Sequence, residues 1–307
     1  MLATAILTSL LLAQVEQLPG SCESSRSETL AEEARQAVSR RQFDIAAARF
    51  RLSVEACPQN RSVLVEMANA LFMAGRFADA AAAAGKIPDS DPHNAAALKI
   101  KGNAQYLLGQ FGQAIDTFIT LLDRYPKDEE GAYMLGRIYY QEAHIDQAIG
   151  QFERALKVNP KSYKAWDNLG LCWQAQGENE KATAHFLRAI SLVEKDHPEY
   201  DWAYANLADL LVQTGDAERA FAAAAKAANR NPNSARNFYI GAKALDKLGK
   251  TELCLNWLQR SAALDPNYSE AQYLLAKVYH RLGQEDQAAE ARKRFLELKA
   301  KEPGKRR

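Results

Sequence analysis

The segment Trp166-Asp167-Asn168-Leu169-Gly170-Leu171-Cys172-Trp173 decides how this chain folds. Its apolar residues fall three and four positions apart, the spacing of one face of an α-helix and not the alternation of a strand. At its centre stands Gly170. Small residues recur at the equivalent place along the chain, as Ala34, Ala68, Gly102, Gly136, Ala208, Ala242 and Ala276. Two helices that cross closely need a small side chain where their backbones meet.

Prolines mark the same interval. Pro58, Pro92, Pro126 and Pro160 stand 34 residues apart, as do Pro232 and Pro266, and the 72 residues from Pro160 to Pro232 make two periods plus four. Alanines keep step at Ala46, Ala80, Ala114, Ala148, Ala182, Ala220 and Ala288, with Cys254 in the remaining place. Five residues before each lies a turn position occupied by Gly75, Gly109, Gly177, Gly215, Gly249 or Gly283. Arg41 and Ala143 stand there in the other two repeats. Glycine suits a helix end that needs positive φ. Phe50, Phe118, Phe152 and Phe186 supply bulk in the second helix of each pair; Leu71, Tyr139, Trp173, Leu211, Leu245 and Tyr279 supply it in the first. A period of 34 residues with this content describes a tandem helix-turn-helix array.

The pattern resembles the tetratricopeptide repeat: a bulky residue, Leu-Gly or Leu-Ala, an aromatic, then Ala, Phe, Ala and Pro. The resemblance covers Ser27 to about Lys301 in eight windows, beginning near Ser27, Arg61, Ala95, Glu129, Tyr163, Asp201, Ala235 and Ser269. It implies an all-α fold, a right-handed superhelical solenoid of about eight tandem helix pairs. The fifth window is four residues longer, within Ser191–Tyr200, which predicts one further helical turn before Pro198, projecting at an edge of the stack. Ala84 and Ala224 replace the bulky second-helix residue in the second and sixth windows, where tighter local curvature is expected. A final helix through Phe295, Leu296 and Leu298 reads as the cap that a solenoid needs over its last apolar face.

Leu2–Val15 is apolar but shorter than the roughly 20 residues of a membrane-spanning helix. Residues 1–20 read as a secretory signal peptide although no Lys or Arg precedes the apolar core. The alternative is a short helix packed on the first repeat. Residues 21–26 then form a linker, 27–302 the repeat domain with its cap, and 303–307 a basic tail. The 39 basic and 38 acidic residues leave a net charge of +1, which speaks against nucleic acid as a partner. No stable membrane insertion is expected.

Four cysteines stand far apart without a CxxC pair, so no zinc-type site is expected. Cys22 precedes the first helix and Cys57 ends its antiparallel partner, which puts both at one end of a helical hairpin. An exported protein would permit a disulfide between them; the alternative is that Cys57 is a small apolar residue and Cys22 is lost with the leader. Cys172 and Cys254 read as core residues of separate repeats. No nucleophile elbow, P-loop, dinucleotide fingerprint or HExxH motif is present. The five histidines are scattered over loop and helix positions, none paired with a Cys, Asp or Glu at ligand spacing on one helix, so neither catalysis, nor a metal, nor a cofactor is expected.

In tetratricopeptide proteins the first helices line a concave groove that holds extended peptides or partner helices. Carried onto this chain, that groove comprises Asn69, Phe72, Lys99, Asn103, Tyr106, Tyr133, Arg137 and Tyr140. Further along it comprises Lys164, Trp202, Arg236, Tyr239, Lys243, Tyr273 and Lys277, with Glu66, Asp167 and Asp209 among them. Aromatic and cationic side chains are the usual composition of binding hot spots. Some members clamp a carboxylate with five residues. Lys99, Asn103 and Lys164 match three, whereas Met134 and Asn168 stand where an Asn and an Arg are required, so no such receptor is expected. The sequence therefore points to a non-enzymatic interaction scaffold, periplasmic or secreted, holding a protein or peptide partner in its groove. The alternatives are a structural subunit of a cell-envelope assembly machine, for pilus or outer-membrane biogenesis, and an intracellular adaptor if the leader reading fails.

Overall fold

The computed structural model describes residues 22–301, so the leader expected at residues 1–20 lies outside the described residues. Every regular element among the described residues is a helix. They fall into two compact units. The first contains α1 (Ser24–Ser39), α2 (Phe43–Ala56), α3 (Arg61–Met73), α4 (Phe77–Ala84), α5 (Asn94–Leu107) and α6 (Phe111–Arg124). The second contains α7 (Glu129–Gln141), α8 (Ile145–Val158), α9 (Tyr163–Ala175), α10 (Asn179–Asp196), α11 (Trp202–Thr214), α12 (Ala217–Arg230), α13 (Ala235–Lys247), α14 (Thr251–Leu264), α15 (Ser269–Arg281) and α16 (Glu285–Lys301). Within each unit, consecutive helices pack as hairpins, and each hairpin packs on the next.

The turns inside the hairpins show why the period holds. Gly75, Gly109, Gly177, Gly215, Gly249 and Gly283 all take positive φ, and so do Arg41 (57°) and Ala143 (60°) in the two repeats that lack glycine. The reversal is fixed by a recurring pair of backbone hydrogen bonds. Gly75 N donates to Phe72 O at 3.0 Å and Arg76 N to Leu71 O at 2.9 Å; Ala143 and His144 repeat the arrangement onto Tyr140 and Tyr139. These bonds satisfy carbonyls that the helix end would otherwise leave open. At the opposite ends, Asp128, Asp216 and Ser234 cap the next helix by accepting from the backbone N–H three residues on.

The small residues of the first helices sit against the aromatics of the second. A β-carbon built at Gly102, Gly136 or Gly170 would lie 2.7, 2.8 or 2.6 Å from the ring of Phe118, Phe152 or Phe186. Those three rings have no exposed surface at all. Two elements depart from the period. Helix α4 stops at Ala84 because Gly85, Pro88 and Pro92 follow closely, so it has only 8 residues where α2, α6 and α8 have 14. Helix α10 runs for 18 residues, which is the additional turn predicted for the fifth window. Glu194, Lys195, Asp196, Pro198 and Glu199 around its end are exposed, while Tyr200 beyond them reaches the side chain of Asp167.

Candidate functional site

The second unit holds a cleft of about 920 Å³. Tyr133, Met134 and Arg137 of α7, Lys164, Asp167, Asn168 and Leu171 of α9, and Trp202 and Asn206 of α11 line it. These residues are spaced three or four apart, so each helix presents them on one face. Glu129 and Glu130 at the start of α7 and Tyr163 at the start of α9 join them, and loops supply Asn159, Lys161 and Ser162 before α9 and His197 and Tyr200 before α11.

Its floor is a buried polar network. Asp167 is 2% exposed. Its Oδ2 accepts from the Tyr200 hydroxyl at 2.7 Å and its Oδ1 from Asn206 Nδ2 at 2.9 Å. Asn206 Oδ1 accepts in turn from Arg236 Nη2 at 2.9 Å. Burial pushes the Asp167 carboxyl up to about 6, against the pull of these hydrogen bonds and of the Arg236 charge. Burial and the adjacent carboxylate push the Tyr200 hydroxyl well above its ordinary value. At neutral pH Asp167 is mostly ionised and accepts from Tyr200. A polar group this buried is tolerable because its hydrogen bonds are made.

Above the floor the lining mixes aromatic rings with both charges, Arg137, Lys161 and Lys164 beside Glu129 and Glu130. The ring of Tyr163 lies 4.4 Å from that of His197 and 4.7 Å from that of Tyr200. Arg137 stands 5.9 Å from the Tyr133 ring, Lys164 5.9 Å from Tyr163, and Arg236 5.4 Å from Trp202. Trp202 is 55% exposed. Glu129 is occupied: its Oε1 accepts from the Ser162 hydroxyl at 2.7 Å.

Five of the groove residues named from sequence, Tyr133, Arg137, Lys164, Asp167 and Trp202, line this cleft. Tyr140 is on α7 but is half-buried away from the lining, and burial raises its hydroxyl. Arg236 stands behind the floor, hydrogen-bonded to Asn206. Tyr239 and Lys243 form a cation–aromatic pair on α13 at 5.7 Å, with Lys243 bonded to Asp209 at 2.8 Å. Tyr273 and Lys277 form a similar pair on α15 at 5.7 Å. In the first unit, Asn69 and Phe72 lie on α3 and Lys99, Asn103 and Tyr106 on α5. There Phe72 meets Phe77 edge-on at 5.3 Å, and Tyr106 packs 5.8 Å from Phe111. Sequence reasoning passed over Lys161, Tyr163, His197 and Tyr200; the four-residue extension of the fifth window was the one signal that pointed to the last two.

Cys22 and Cys57 are joined by a disulfide, with Cα atoms 4.3 Å apart. Beside it Glu23 N donates to Ala56 O at 2.9 Å, and the Ser27 and Ser53 hydroxyls each donate to the other's backbone carbonyl. Cys172 and Cys254 are free and buried, their thiols pushed up to about 12 by burial. Among the described residues no cluster of His, Cys, Asp and Glu could hold a metal ion, and no helix is long and apolar enough to cross a membrane.

Helical hairpins repeated at this period, with a groove lined by their first helices, define a class of interaction scaffold. Tetratricopeptide repeat models match residues 32–95, 65–129 and 133–197, with further matches at 203–234 and 257–290. The chain belongs to the tetratricopeptide repeat family. Among solved structures it is similar to a tetratricopeptide repeat protein from Parabacteroides merdae, with 21% identity, a TM-score of 0.65, and coverage of 83% of this chain and 98% of that one. It is also similar to PilF of Pseudomonas aeruginosa, with 20% identity, a TM-score of 0.59, and coverage of 68% and 92%. At these identities the likeness speaks for the fold alone. A search of curated proteins by sequence returns no match.

Proposed function

We propose that this protein is a non-enzymatic scaffold that holds a segment of a partner polypeptide in the cleft lined by α7, α9 and α11. The observation that carries the reading is the aromatic and mixed-charge lining, with Trp202 exposed, over a floor held by Asp167, Tyr200 and Asn206. A floor held in this way is preorganised. The partner then loses freedom on binding while the scaffold loses little. Export supports the same reading: Leu2–Val15 has the length of a leader's apolar core, and the Cys22–Cys57 bond is stable in an oxidising compartment.

Position-dependent crosslinking tests it. A photo-reactive residue placed at Trp202 should form adducts with a partner polypeptide in the native host. The same residue at Leu187, exposed on the second helix α10, should not. Equal adducts from both positions, or adducts from Leu187 only, would move the interface out of the cleft.

A further inference from the structure

Resting on the reading that this cleft holds a polypeptide, we infer that Arg230 is the residue that positions its loop wall. Arg230 belongs to α12 and stands outside the cleft lining. It holds the connection between α10 and α11 from behind, which sets His197 and Tyr200 in the lining. Its Nη1 donates to His197 O at 3.1 Å and its Nη2 to Glu194 O at 3.4 Å. His197 O also accepts from Tyr200 N at 3.0 Å, so the carbonyl at the turn is fixed from two sides. The guanidinium itself has little freedom. It lies 4.7 Å from the buried Tyr204 ring and reaches the Tyr204 hydroxyl at 3.4 Å. The connection thus has two faces: Pro198 and Glu199 border the cavity that contains Arg230, whereas His197 and Tyr200 face the cleft.

The sequence places this arginine where the repeat is irregular. The connections after α2, α6, α8, α12 and α14 each have four residues, at 57–60, 125–128, 159–162, 231–234 and 265–268. Those after α4 and α10 are longer, at 85–93 and 197–201. In α6 and α12, the second helices that follow these two, an arginine stands two places before the proline, as Arg124 and Arg230. In α2, α8 and α14 that place holds Ala56, Val158 and Leu264. Arg124 likewise reaches back to its long connection, binding the side chains of Asp89 and Asn94. Arginine suits the task, because its fork presents several donors in a fixed plane. The bond to Glu194 O satisfies a helix-end carbonyl of α10. The bond to His197 O lies past the last helical residue and acts on the connection itself.

Loss of Arg230 should free the connection, let Tyr200 leave Asp167 and admit water to that carboxyl. Burial is what raises Asp167 to about 6, and the charges acting on it are those of Arg236 and Asp201. Its titration therefore reports where the wall stands. Two readings on the full chain test the inference. One is the Asp167 midpoint, from carboxyl-carbon NMR assigned with Asp167→Asn; the other is the adduct yield from a photo-reactive residue at Trp202. Arg230→Met should lower the midpoint by about one pH unit or more. It should also cut the adduct yield roughly fivefold, the effect of losing about one hydrogen bond. Arg230→Lys keeps the charge but cannot span both carbonyls, so it should fall between the two, and it decides the question if Arg230→Met does not fold. Arg124→Met should leave both readings unchanged. An unmoved midpoint in Arg230→Met, wild-type behaviour of Arg230→Lys, or an equal fall in Arg124→Met would overturn the inference. Wild-type protein without adducts at Trp202 sinks the polypeptide reading and this use of the wall with it. Full adduct yield in Arg230→Met despite a lowered midpoint sinks the positioning role alone.

Discussion

Gly170 faces the ring of Phe186 so closely that an added β-carbon would lie 2.6 Å from both Cδ1 and Cε1. The ring cannot retreat, being wholly buried. Gly170→Ala should therefore destabilise the protein by about 1–3 kcal/mol through overpacking. Adding Phe186→Leu should recover part of the loss. Gly150 is the opposite case: it lies within α8 with nothing within 4 Å of the added carbon, so Gly150→Ala should stabilise by about 0.5–1 kcal/mol. Denaturant titration of the three variants reads the two signs directly.

Ala143 adopts a φ of 60°, where a side chain is strained and glycine is not. Ala143→Gly should raise stability by about 0.5–1 kcal/mol, net of the greater freedom that glycine gives the unfolded chain. Thermal unfolding checks it; a lower melting temperature would show that the turn stores no strain.

Asp167 makes stability depend on pH in a defined direction. Its carboxyl sits at about 6 in the folded protein, above the usual 3.8, so between these values the folded state binds more protons than the unfolded one. Stability from this group is full below pH about 4 and is lost as pH rises through 6, by about 2–3 kcal/mol at most. Asp167→Asn, which removes the ionisable group, should flatten that part of the profile. Stability curves of both proteins from pH 4 to 7 that run parallel would refute the assignment.

Thiol counting separates the cysteines. The native protein should expose essentially no reactive thiol, since Cys22 and Cys57 are bonded and Cys172 and Cys254 are buried with their thiols raised to about 12. Denaturation without reductant should release two thiols. Replacing Cys22 and Cys57 by Ala should cost about 2–4 kcal/mol, the usual effect of opening a loop of this size.

What the sequence made legible was the repeat itself. Positive-φ turns, buried phenylalanines and the additional turn of α10 all follow from spacing, because each depends on residues close in the chain. Legibility failed where the partner is distant. Gly241 fits against the ring of Trp257, one residue ahead of the in-phase pair Ala242 and Leu258; nothing local distinguishes those two registers. Likewise the length of the Ser191–Tyr200 extension showed, but its destination did not, since that is fixed by the hydroxyl of Tyr200 meeting a carboxylate 33 residues away. The groove residues were named by phase alone. Tyr133, Arg137, Lys164, Asp167 and Trp202 gather into one cleft beside this extension, and Tyr140, Tyr239 and Tyr273 fall outside it.

The bond between Cys22 and Cys57 also gives the array a direction. Stacked repeats open from their ends, because a terminal repeat has a neighbour on one side only. At the N-terminal end the two helices of the first hairpin are stapled at their open mouth, so fraying there cannot release α1 from α2. Helix α16 has no such staple at the other end, with only Ala288, Ala291 and Leu298 buried along its 17 residues. Amide hydrogens should consequently exchange earlier in α16 than in the stapled pair α1 and α2.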